Sequence, residues 1–445
     1  MAVLALLRGG IPIAAVFAST AIATAGDFQD LRDRNWHQWR GPSANGIAPQ
    51  ADPPVTWDAH NNIRWKAPIP GAGSATPIVW EDRIFVLSAR ETDVPADGPR
   101  VPHPTAKTLP PEHKFDFIVT CLNRETGDVE WQQVAVQEAP HEGAHTTNSY
   151  ASASPTTDGE RLYVSFGSRG IFCFDLEGQR VWNRDLGDMR TRYGWGEGAS
   201  PAVSGEYLIV NWDHEDQSFI TALDARTGED KWRVDRDEPT SWSTPVIVER
   251  DGIRQVIVNA TNRVRSYELE TGRLIWECGG QTVNTIPTPV VVGDVAYCAS
   301  GYRGSSLLAL PLTRTGELTA DDALWTYASG TPYVPTPIVV NDRLYMTAQN
   351  TGALTCLNTN DGSVAFGPER LPDLESVYAS PIAAAGRLYF VGRTGTTVVL
   401  EAGATLNVLA INPLDDAFDA SPVAVGNQLF LRGADSLYCL ESPAK

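Results

Sequence analysis

The sequence lacks the patterns that mark several large protein classes. No segment sustains a 3.6-residue apolar period, so an α-helical domain is not expected. Cations are in deficit, with 35 Lys and Arg against 54 Asp and Glu and a formal charge of −19, which argues against nucleic-acid binding. No Ser-His-Asp order, phosphate-binding glycine loop or zinc-ligand spacing is present. What remains is an acidic chain of short β-branched and aromatic runs between Gly, Pro, Asn and Asp clusters, which indicates an all-β protein.

The N-terminus carries an apolar run that is short for a membrane span. Ile11 to Ile22 is apolar and Ala-rich, follows the single cation Arg8, and precedes the small residues Ala23, Thr24 and Ala25. This order is typical of a signal peptide. We predict a signal peptide over 1–25, cleaved after Ala25, and a periplasmic or secreted protein with no membrane span after cleavage. A retained membrane anchor is the alternative.

An internal repeat organises most of the chain. A Ser/Thr-Pro pair opens a predicted strand eight times, and from the second pair onward the spacing is 41 to 48 residues. A turn, three further strands and an aromatic in the fourth strand follow most pairs. Four antiparallel strands per repeat predict an eight-bladed β-propeller of four-stranded blades. The pairs are Thr76-Pro77, Ser154-Pro155, Ser200-Pro201, Thr244-Pro245, Thr288-Pro289, Thr336-Pro337, Ser380-Pro381 and Ser421-Pro422.

The end of the sequence predicts how the ring closes. The eighth unit has only three strands, whereas Ile63–Lys66 has the fourth-strand pattern with no unit before it. We therefore expect Ile63–Lys66 to complete the last blade beside Leu437–Leu440, which removes an exposed sheet edge. The predicted domains are the signal peptide, a leader over 26–62, and the propeller over 63–445. We also predict an insertion at 91–115 in the first blade, and the sequence leaves open whether it is a mobile lid or a docking arm.

The fourth-strand tryptophans and the six cysteines are interpreted as structural. A run of tryptophans also suits carbohydrate or base stacking, but this period favours packing between blades. Four cysteines share one third-strand position, where small buried apolar residues are expected, and a pairing of Cys278 with Cys298 stays open. The tryptophans are Trp65, Trp131, Trp182, Trp232, Trp276 and Trp325, and the seventh unit has Leu406 to Ala410 in that place.

The repeat resembles the quinoprotein-type, tryptophan-docking repeat of exported bacterial pyrroloquinoline quinone (PQQ)-binding-like propellers. The carrying motifs are the small residue-Pro pair, Ala222-Leu223-Asp224 with its Thr-Gly turn and Trp232, and the leader Trp36 to Gly46. The resemblance implies a fold shared with PQQ dehydrogenases and with the assembly factor BamB. It also makes PQQ and calcium possible cofactors. The chain has no Cys-Cys pair, no Cys-x-x-Cys-His motif, and no cysteine at the cleavage site that follows the apolar run of the signal peptide, so neither a standard dehydrogenase nor a lipid-anchored form is implied.

Two loop sets gather on one face of the predicted propeller. One places an aromatic shortly before six of the eight prolines, and the other is rich in Arg beside Gly. Arg forks match carboxylate or phosphate, and flat aromatics stack on sugars or conjugated rings. We predict a ligand-binding face, with the alternative that the arginines form ion pairs with Asp213, Glu215, Glu375 or Asp419. The candidates are Arg169, Arg263, Arg303, Arg393, Arg432, Tyr150, Trp195, Glu197, Trp242, Tyr333 and Tyr378.

Acidic and histidine residues in the same loops give weaker hypotheses. Asp213 and Glu215 have oxygens at a spacing that calcium can use, although a solvated acidic turn is the simpler interpretation. His141 and His145, beside Glu142, are a candidate metal or proton-transfer cluster.

These patterns favour an exported binding or scaffold protein over an enzyme. Its partner is expected to be a small anionic or carbohydrate-like ligand or an envelope protein. The alternatives are a PQQ- and calcium-dependent oxidoreductase and an enzyme that cleaves polysaccharide.

Overall fold

The computed structural model describes residues 25–443. These residues form eight sheets arranged around a central axis. This arrangement confirms the predicted all-β, eight-bladed propeller. Most of the predicted signal peptide lies outside the described residues. Within them, no helix has the length and apolar character needed to cross a bilayer. The helices are Ala25–Arg32 and the three 3₁₀ turns Gly167–Arg169, Arg192–Gly194 and Ala320–Asp322.

Each blade begins at the axis with a short strand that follows the Ser/Thr-Pro pair and ends with an outer strand. We number the blades from the first complete repeat. Blade 1 has Ile78–Trp80, Arg83–Pro95, His113–Asn123 and Val129–Glu138; blade 2 has Thr156–Thr157, Arg161–Ser165, Ile171–Asp175 and Arg180–Arg184; blade 3 has Ala202–Ser204, Tyr207–Trp212, Ser218–Asp224 and Asp230–Arg236; blade 4 has Val246–Arg250, Ile253–Val258, Arg263–Glu268 and Leu274–Gly279.

The second half of the ring repeats this order. Blade 5 has Val290–Val292, Val295–Ser300, Ser306–Pro311 and Trp325–Tyr327; blade 6 has Ile338–Val340, Arg343–Thr347, Ala353–Asn358 and Val364–Arg370; blade 7 has Ile382–Ala384, Arg387–Val391, Thr396–Glu401 and Val408–Pro413; blade 8 has Val423–Val425, Gln428–Arg432, Ser436–Glu441 and, from the start of the chain, Ile63–Pro68.

Closure of the ring is confirmed. Ile63–Pro68 pairs antiparallel with Ser436–Glu441, and Trp65 lies opposite Cys439. Two blades differ from the prediction because each gains a fifth, parallel strand. Gly316–Leu318 joins the outer edge of blade 4, and Ile47–Ala48 of the leader joins the inner edge of blade 7. A free edge pairs readily with any extended segment nearby.

Fourth-strand tryptophans dock between neighbouring blades. Trp131 donates its indole N–H to the carbonyl of Leu176 at 2.9 Å, and Gly178 of the same turn lies against the ring. A Cβ on Gly178 would lie 2.7 Å from that ring, and the φ of Gly178 is +86°. The close contact and the positive φ each require glycine at this position. The same contact joins Trp65 to Gly127, Trp182 to Gly228, Trp232 to Gly272 and Trp325 to Gly362.

The core lies between blades, in the two faces that each sheet presents to its neighbours. Phe85 and Phe117 of blade 1 pack with Phe172 of blade 2 in one such layer. All six cysteines are free and buried, as expected for small apolar positions. Burying aliphatic and aromatic side chains in this way stabilises the fold by about 25 cal/mol for each Å² of apolar surface removed from water.

The predicted insertion folds back over the ring. Its first part extends the second and third strands of blade 1, with Glu91 paired to Phe115 and Pro95 to His113. The rest docks on the loop that enters blade 3. The backbone N–H of Lys107 donates to the carbonyl of Tyr193 at 2.8 Å, and the Thr108 hydroxyl donates to that of Gly194.

Candidate functional site

The eight Ser and Thr residues that mark the repeats form a closed ring around the axis. The backbone N–H of each donates to the side-chain oxygen of the next, with N···O distances of 2.8 to 3.4 Å, and Ser421 closes the ring onto Thr76. Among residues 25–443 none of these hydroxyls donates its own hydrogen to a protein acceptor. A hydroxyl is both donor and acceptor. The ring therefore offers eight O–H donors to whatever lies on the axis.

The leader closes one end of the axis. It enters beside blade 1, where Trp36 forms a two-way backbone bridge with Val79, and ends as the extra strand on blade 7. Between these points Trp39 donates its indole N–H to the Thr288 hydroxyl at 3.2 Å. The leader thus crosses beneath the hydroxyl ring and makes a blind cavity of the channel.

A buried arginine fixes this floor. Arg40 is 1% exposed and donates to the carbonyls of Pro381, Pro337 and Asn45 at 2.5, 2.8 and 3.1 Å. Desolvation by burial lowers its pKa to about 9, and among residues 25–443 no carboxylate is bonded to it. Three carbonyl acceptors compensate for part of the desolvation of the guanidinium.

Above the floor lies a cavity of about 390 Å³. Its lower wall is the hydroxyl ring with Trp39, and its upper wall is largely aromatic. Pockets of this volume and composition hold small molecules. The predicted residues that line it are Trp195, Trp242, Tyr333, Tyr378 and Glu197; Tyr302 and His145 join them.

The aromatic residues of the upper wall hold one another in place. Trp195 contacts Tyr193, His145 and Tyr302 edge to face, with centroids 5.1, 5.5 and 6.2 Å apart. Tyr302 also packs on Tyr333 at 4.8 Å. Tyr150, by contrast, lies outside this wall, packs on Phe115 and faces a smaller neighbouring cavity. Edge-to-face contacts of this kind keep the rings in fixed orientations.

Three of the five predicted arginines are paired with carboxylates. Arg169 contacts Asp188 and Glu138, and Arg263 contacts Asp237 at 3.0 Å. Arg393 is bonded to Asp419, as the ion-pair alternative expected, and lies 4.2 Å from the Tyr378 ring centroid. None of these arginines lines the central cavity.

The other two arginines differ from each other. Arg432 is buried and donates to the carbonyls of Gly433 and Gly71, which ties blade 8 to the segment that enters blade 1. Arg303 is exposed and lies 5.2 Å from the centroid of the Tyr302 ring. Ligand binding by any of the five stays a prediction.

Two carboxylates with perturbed titration hold the loops of the aromatic wall, and one of them, Glu197, also lines the cavity. Burial raises the pKa of Glu142 to about 8, while its carboxylate accepts from the backbone and hydroxyl of Thr191. Burial also raises the pKa of Glu197, which accepts from the backbone N–H of Ser168 at 2.7 Å. The two glutamates thus hold the loops that carry the wall. Of the predicted histidine pair, His141 bonds the carbonyl of Met189, away from His145.

The proposed calcium pair is engaged by protein groups. Asp213 is fully buried in a two-point contact with Arg236 and accepts from Ser241 at 2.6 Å. Glu215 accepts from the backbone and hydroxyl of Thr240. Throughout residues 25–443 no three His, Cys, Asp or Glu side chains are grouped to hold a metal ion.

Comparison with known proteins places the chain in a family. A family model described as outer membrane protein assembly factor BamB matches residues 115–368, more than half of the chain. The chain belongs to this family. BamB from Yersinia pestis is 26% identical over 250 residues, which are 52% of this chain and 57% of that protein. The match therefore spans little more than half the length of this relative, and it confirms the resemblance found in the repeat.

Solved structures of the BamB and quinoprotein type share the fold. BamB from Moraxella catarrhalis has a TM-score of 0.53 at 17% identity and covers 81% of this chain and 99% of its own. A quinohemoprotein alcohol dehydrogenase from Comamonas testosteroni has a TM-score of 0.63 at 12% identity, over 95% and 83%. A europium-containing methanol dehydrogenase has a TM-score of 0.61 at 10% identity, over 92% of each chain. At these identities the likeness is one of fold alone.

The carboxylates suggested by the sequence as calcium ligands do not fit a calcium-bound cofactor. Calcium takes several oxygen ligands, and among residues 25–443 no three His, Cys, Asp or Glu side chains are grouped to supply them. Asp213 and Glu215 are occupied as described above. We therefore derive no step through calcium-bound PQQ.

Several features of the site were not found from the sequence. The hydroxyl ring was read only as a strand marker, although its restriction to Ser and Thr was a usable signal. Trp39 lies in a motif that was noted for its resemblance alone. Lys107, Arg192 and Tyr193 carried no signal, because only the folded insertion brings them to the cavity.

Proposed function

We propose that this BamB-family chain is a binding protein of the cell envelope that holds a small, oxygen-rich, ring-containing molecule in its central cavity. The observation that carries the proposal is the blind cavity itself. Eight hydroxyls with unused donors form its lower wall, and Trp39 forms its floor. Oxygen-rich rings suit such a surface, because the hydroxyls bond ring substituents and the aromatics stack on ring faces.

The envelope assignment rests on the family and on the predicted signal peptide. The relatives are named as outer membrane protein assembly factors. A protein partner and a small ligand are compatible on one propeller, because a partner can use the outer loops while the cavity is occupied.

The experiment fills the cavity without straining the backbone. Gly198 lines the cavity, and a Cβ there would meet only Trp242 at 3.5 Å and Ser152 at 3.8 Å. Gly198→Leu therefore places a side chain in the binding space. Gly403→Leu is the matched control, since nothing lies within 4 Å of a Cβ at that position.

Binding of trigalacturonic acid, maltotriose and PQQ is measured by isothermal titration calorimetry. We expect at least one probe to bind the parent chain, to bind Gly198→Leu about tenfold or more weakly, and to bind Gly403→Leu normally. Absence of binding by all three probes, or equal affinity in Gly198→Leu, would overturn the proposal. Dye reduction by protein reconstituted with PQQ and calcium would replace it with the oxidoreductase.

A further inference from the structure

Three cations from separate segments lie on aromatic rings in or beside the upper wall of the central cavity, and we call this end of the cavity its mouth. Lys107 of the insertion lies 4.0 Å from the centroid of the Tyr193 ring, and Arg192 lies 5.2 Å from the same centroid. Arg303 of blade 5 lies over Tyr302, which contacts Trp195 of the cavity wall. We call Lys107, Arg192 and Arg303 the rim cations.

The rim cations differ from three of the predicted arginines of this face in having no carboxylate partner. Arg169, Arg263 and Arg393 each contact an Asp or Glu side chain within 4.0 Å. In residues 25–443 no such ion pair is formed by any rim cation. A protein with 54 acidic and 35 basic residues has carboxylates in excess, so three unpaired cations in one place are an uncommon arrangement. Cations lying on aromatic faces stay available to an anion.

Local structure holds two of these cations in position. The Arg192 backbone N–H donates to the Thr240 hydroxyl at 2.9 Å, and that hydroxyl donates to Glu215 at 2.8 Å. Lys107 is fixed through its own backbone, which donates to the carbonyl of Tyr193. The insertion is thus docked at the mouth of the cavity, and its Lys107 supplies one of the three positive charges there.

The titration of Tyr193 agrees with this convergence. A hydrogen bond from Arg192 lowers its pKa, and the positive charges of Arg192, Lys107 and Arg303 lower it further. Charges on three segments therefore act on one phenol at the mouth.

We propose that the rim cations form a carboxylate-binding clamp, so that the molecule held in the cavity is a ring compound bearing at least one carboxylate. This inference rests on the proposed function, because the clamp acts on a ligand whose rings occupy the cavity. Guanidinium and ammonium groups bind carboxylates through charge-assisted hydrogen bonds. An acidic sugar and a flat aromatic polycarboxylate share this chemistry.

The test compares acids with their uncharged esters. Trigalacturonic acid and PQQ are titrated by calorimetry beside their methyl esters, which separates the sugar source from the aromatic one. The variants are Lys107→Gln, Arg192→Gln and Arg303→Gln. Arg226→Gln removes one exposed positive charge from a turn between outer strands of blade 3 and serves as the control.

We expect the acid to bind more tightly than its ester. Each rim variant is expected to weaken the acid about tenfold, leave the ester unchanged, and reduce the salt dependence of binding. Arg192→Lys should restore part of the affinity, and that variant also separates loss of charge from loss of fold.

The outcomes distinguish this inference from the proposed function. Equal affinity for acid and ester, or unchanged acid binding in the three variants, would overturn the clamp. If Gly198→Leu still abolished binding in that case, the cavity proposal would stand. If no probe responded to Gly198→Leu either, both proposals would fall.

Discussion

The floor of the central cavity is made from one residue position repeated eight times, whereas its mouth is made from loops that differ from blade to blade. At the floor, each Ser or Thr backbone N–H donates to the next side chain. At the mouth, the insertion and the Arg192–Gly194 turn meet only once around the ring. The repeated Ser or Thr satisfies a backbone N–H in every blade. The loops that depart from the repeat instead place different side chains at different points around the mouth.

The two ends also differ in how they titrate. His37 in the floor region is buried, and burial lowers its pKa to about 3, so it stays neutral at physiological pH. Near the mouth, burial raises the pKa of Glu142 to about 8, while Arg192 lowers that of Tyr193. Perturbed titration in a cleft is a common property of functional sites. We therefore expect stability to depend on pH through groups at the mouth, and to depend on side-chain packing at the floor.

The largest expected effect comes from Glu142→Gln. The folded pKa of Glu142 lies above that of an unfolded glutamate, so its stabilising contribution is full below about pH 4 and is lost as pH rises through 8. Relative to the parent, Glu142→Gln should gain up to about 4 kcal/mol between pH 4 and pH 9. Thermal unfolding across this range measures the gain, and Glu229→Gln, on an exposed turn, is the control. A flat difference would mean that Glu142 is ionised throughout.

A packing change at the floor is expected to be somewhat smaller. A Cβ at Gly46 would lie 2.6 Å from the Arg40 guanidinium, and the φ of Gly46 is +86°. Gly46→Ala should destabilise the chain by about 2–4 kcal/mol, through overpacking and backbone strain together. Gly386→Ala, with φ +73° and open space around it, isolates the strain. Equal unfolding midpoints for the two variants would show that the leader yields easily at Arg40.

The smallest expected effect is spectroscopic and compares the pKa values of tyrosines near the mouth. Burial raises the pKa of Tyr150 and of Tyr333 to about 12, whereas that of Tyr193 is lowered. Absorbance at 295 nm should therefore show one phenol that ionises early. Tyr193→Phe should remove that step, and Arg192→Gln should move it to higher pH. If Tyr193→Phe left the absorbance titration unchanged, Tyr193 would not be the phenol that ionises early, and the three positive charges would not act on it.

The sequence was a good guide wherever a residue type recurs with the blade period. The Ser/Thr-Pro pairs predicted the blades, and Ile63–Lys66 predicted the closure that the structure confirms. It was a poorer guide where the partner of a charged side chain lies far along the chain. Asp213 suggested a metal ligand because its partner Arg236 lies 23 residues further on, at the end of the same blade. For Arg393 the sequence left open a ligand contact or an ion pair, and only the structure joins it to Asp419 of the next entry loop.

By itself, the sequence determined the eight blades, their order and the strand that closes them, because strand pairing and turn chemistry are local and repeat at a fixed interval. Only the tertiary structure decided that the repeated hydroxyls meet in one ring, that the leader blocks the axis at Trp39, and that the insertion brings Lys107 beside Arg192. Such convergence depends on distances between segments far apart in the chain. Those distances are set by the ring as a whole and are not encoded in any one repeat.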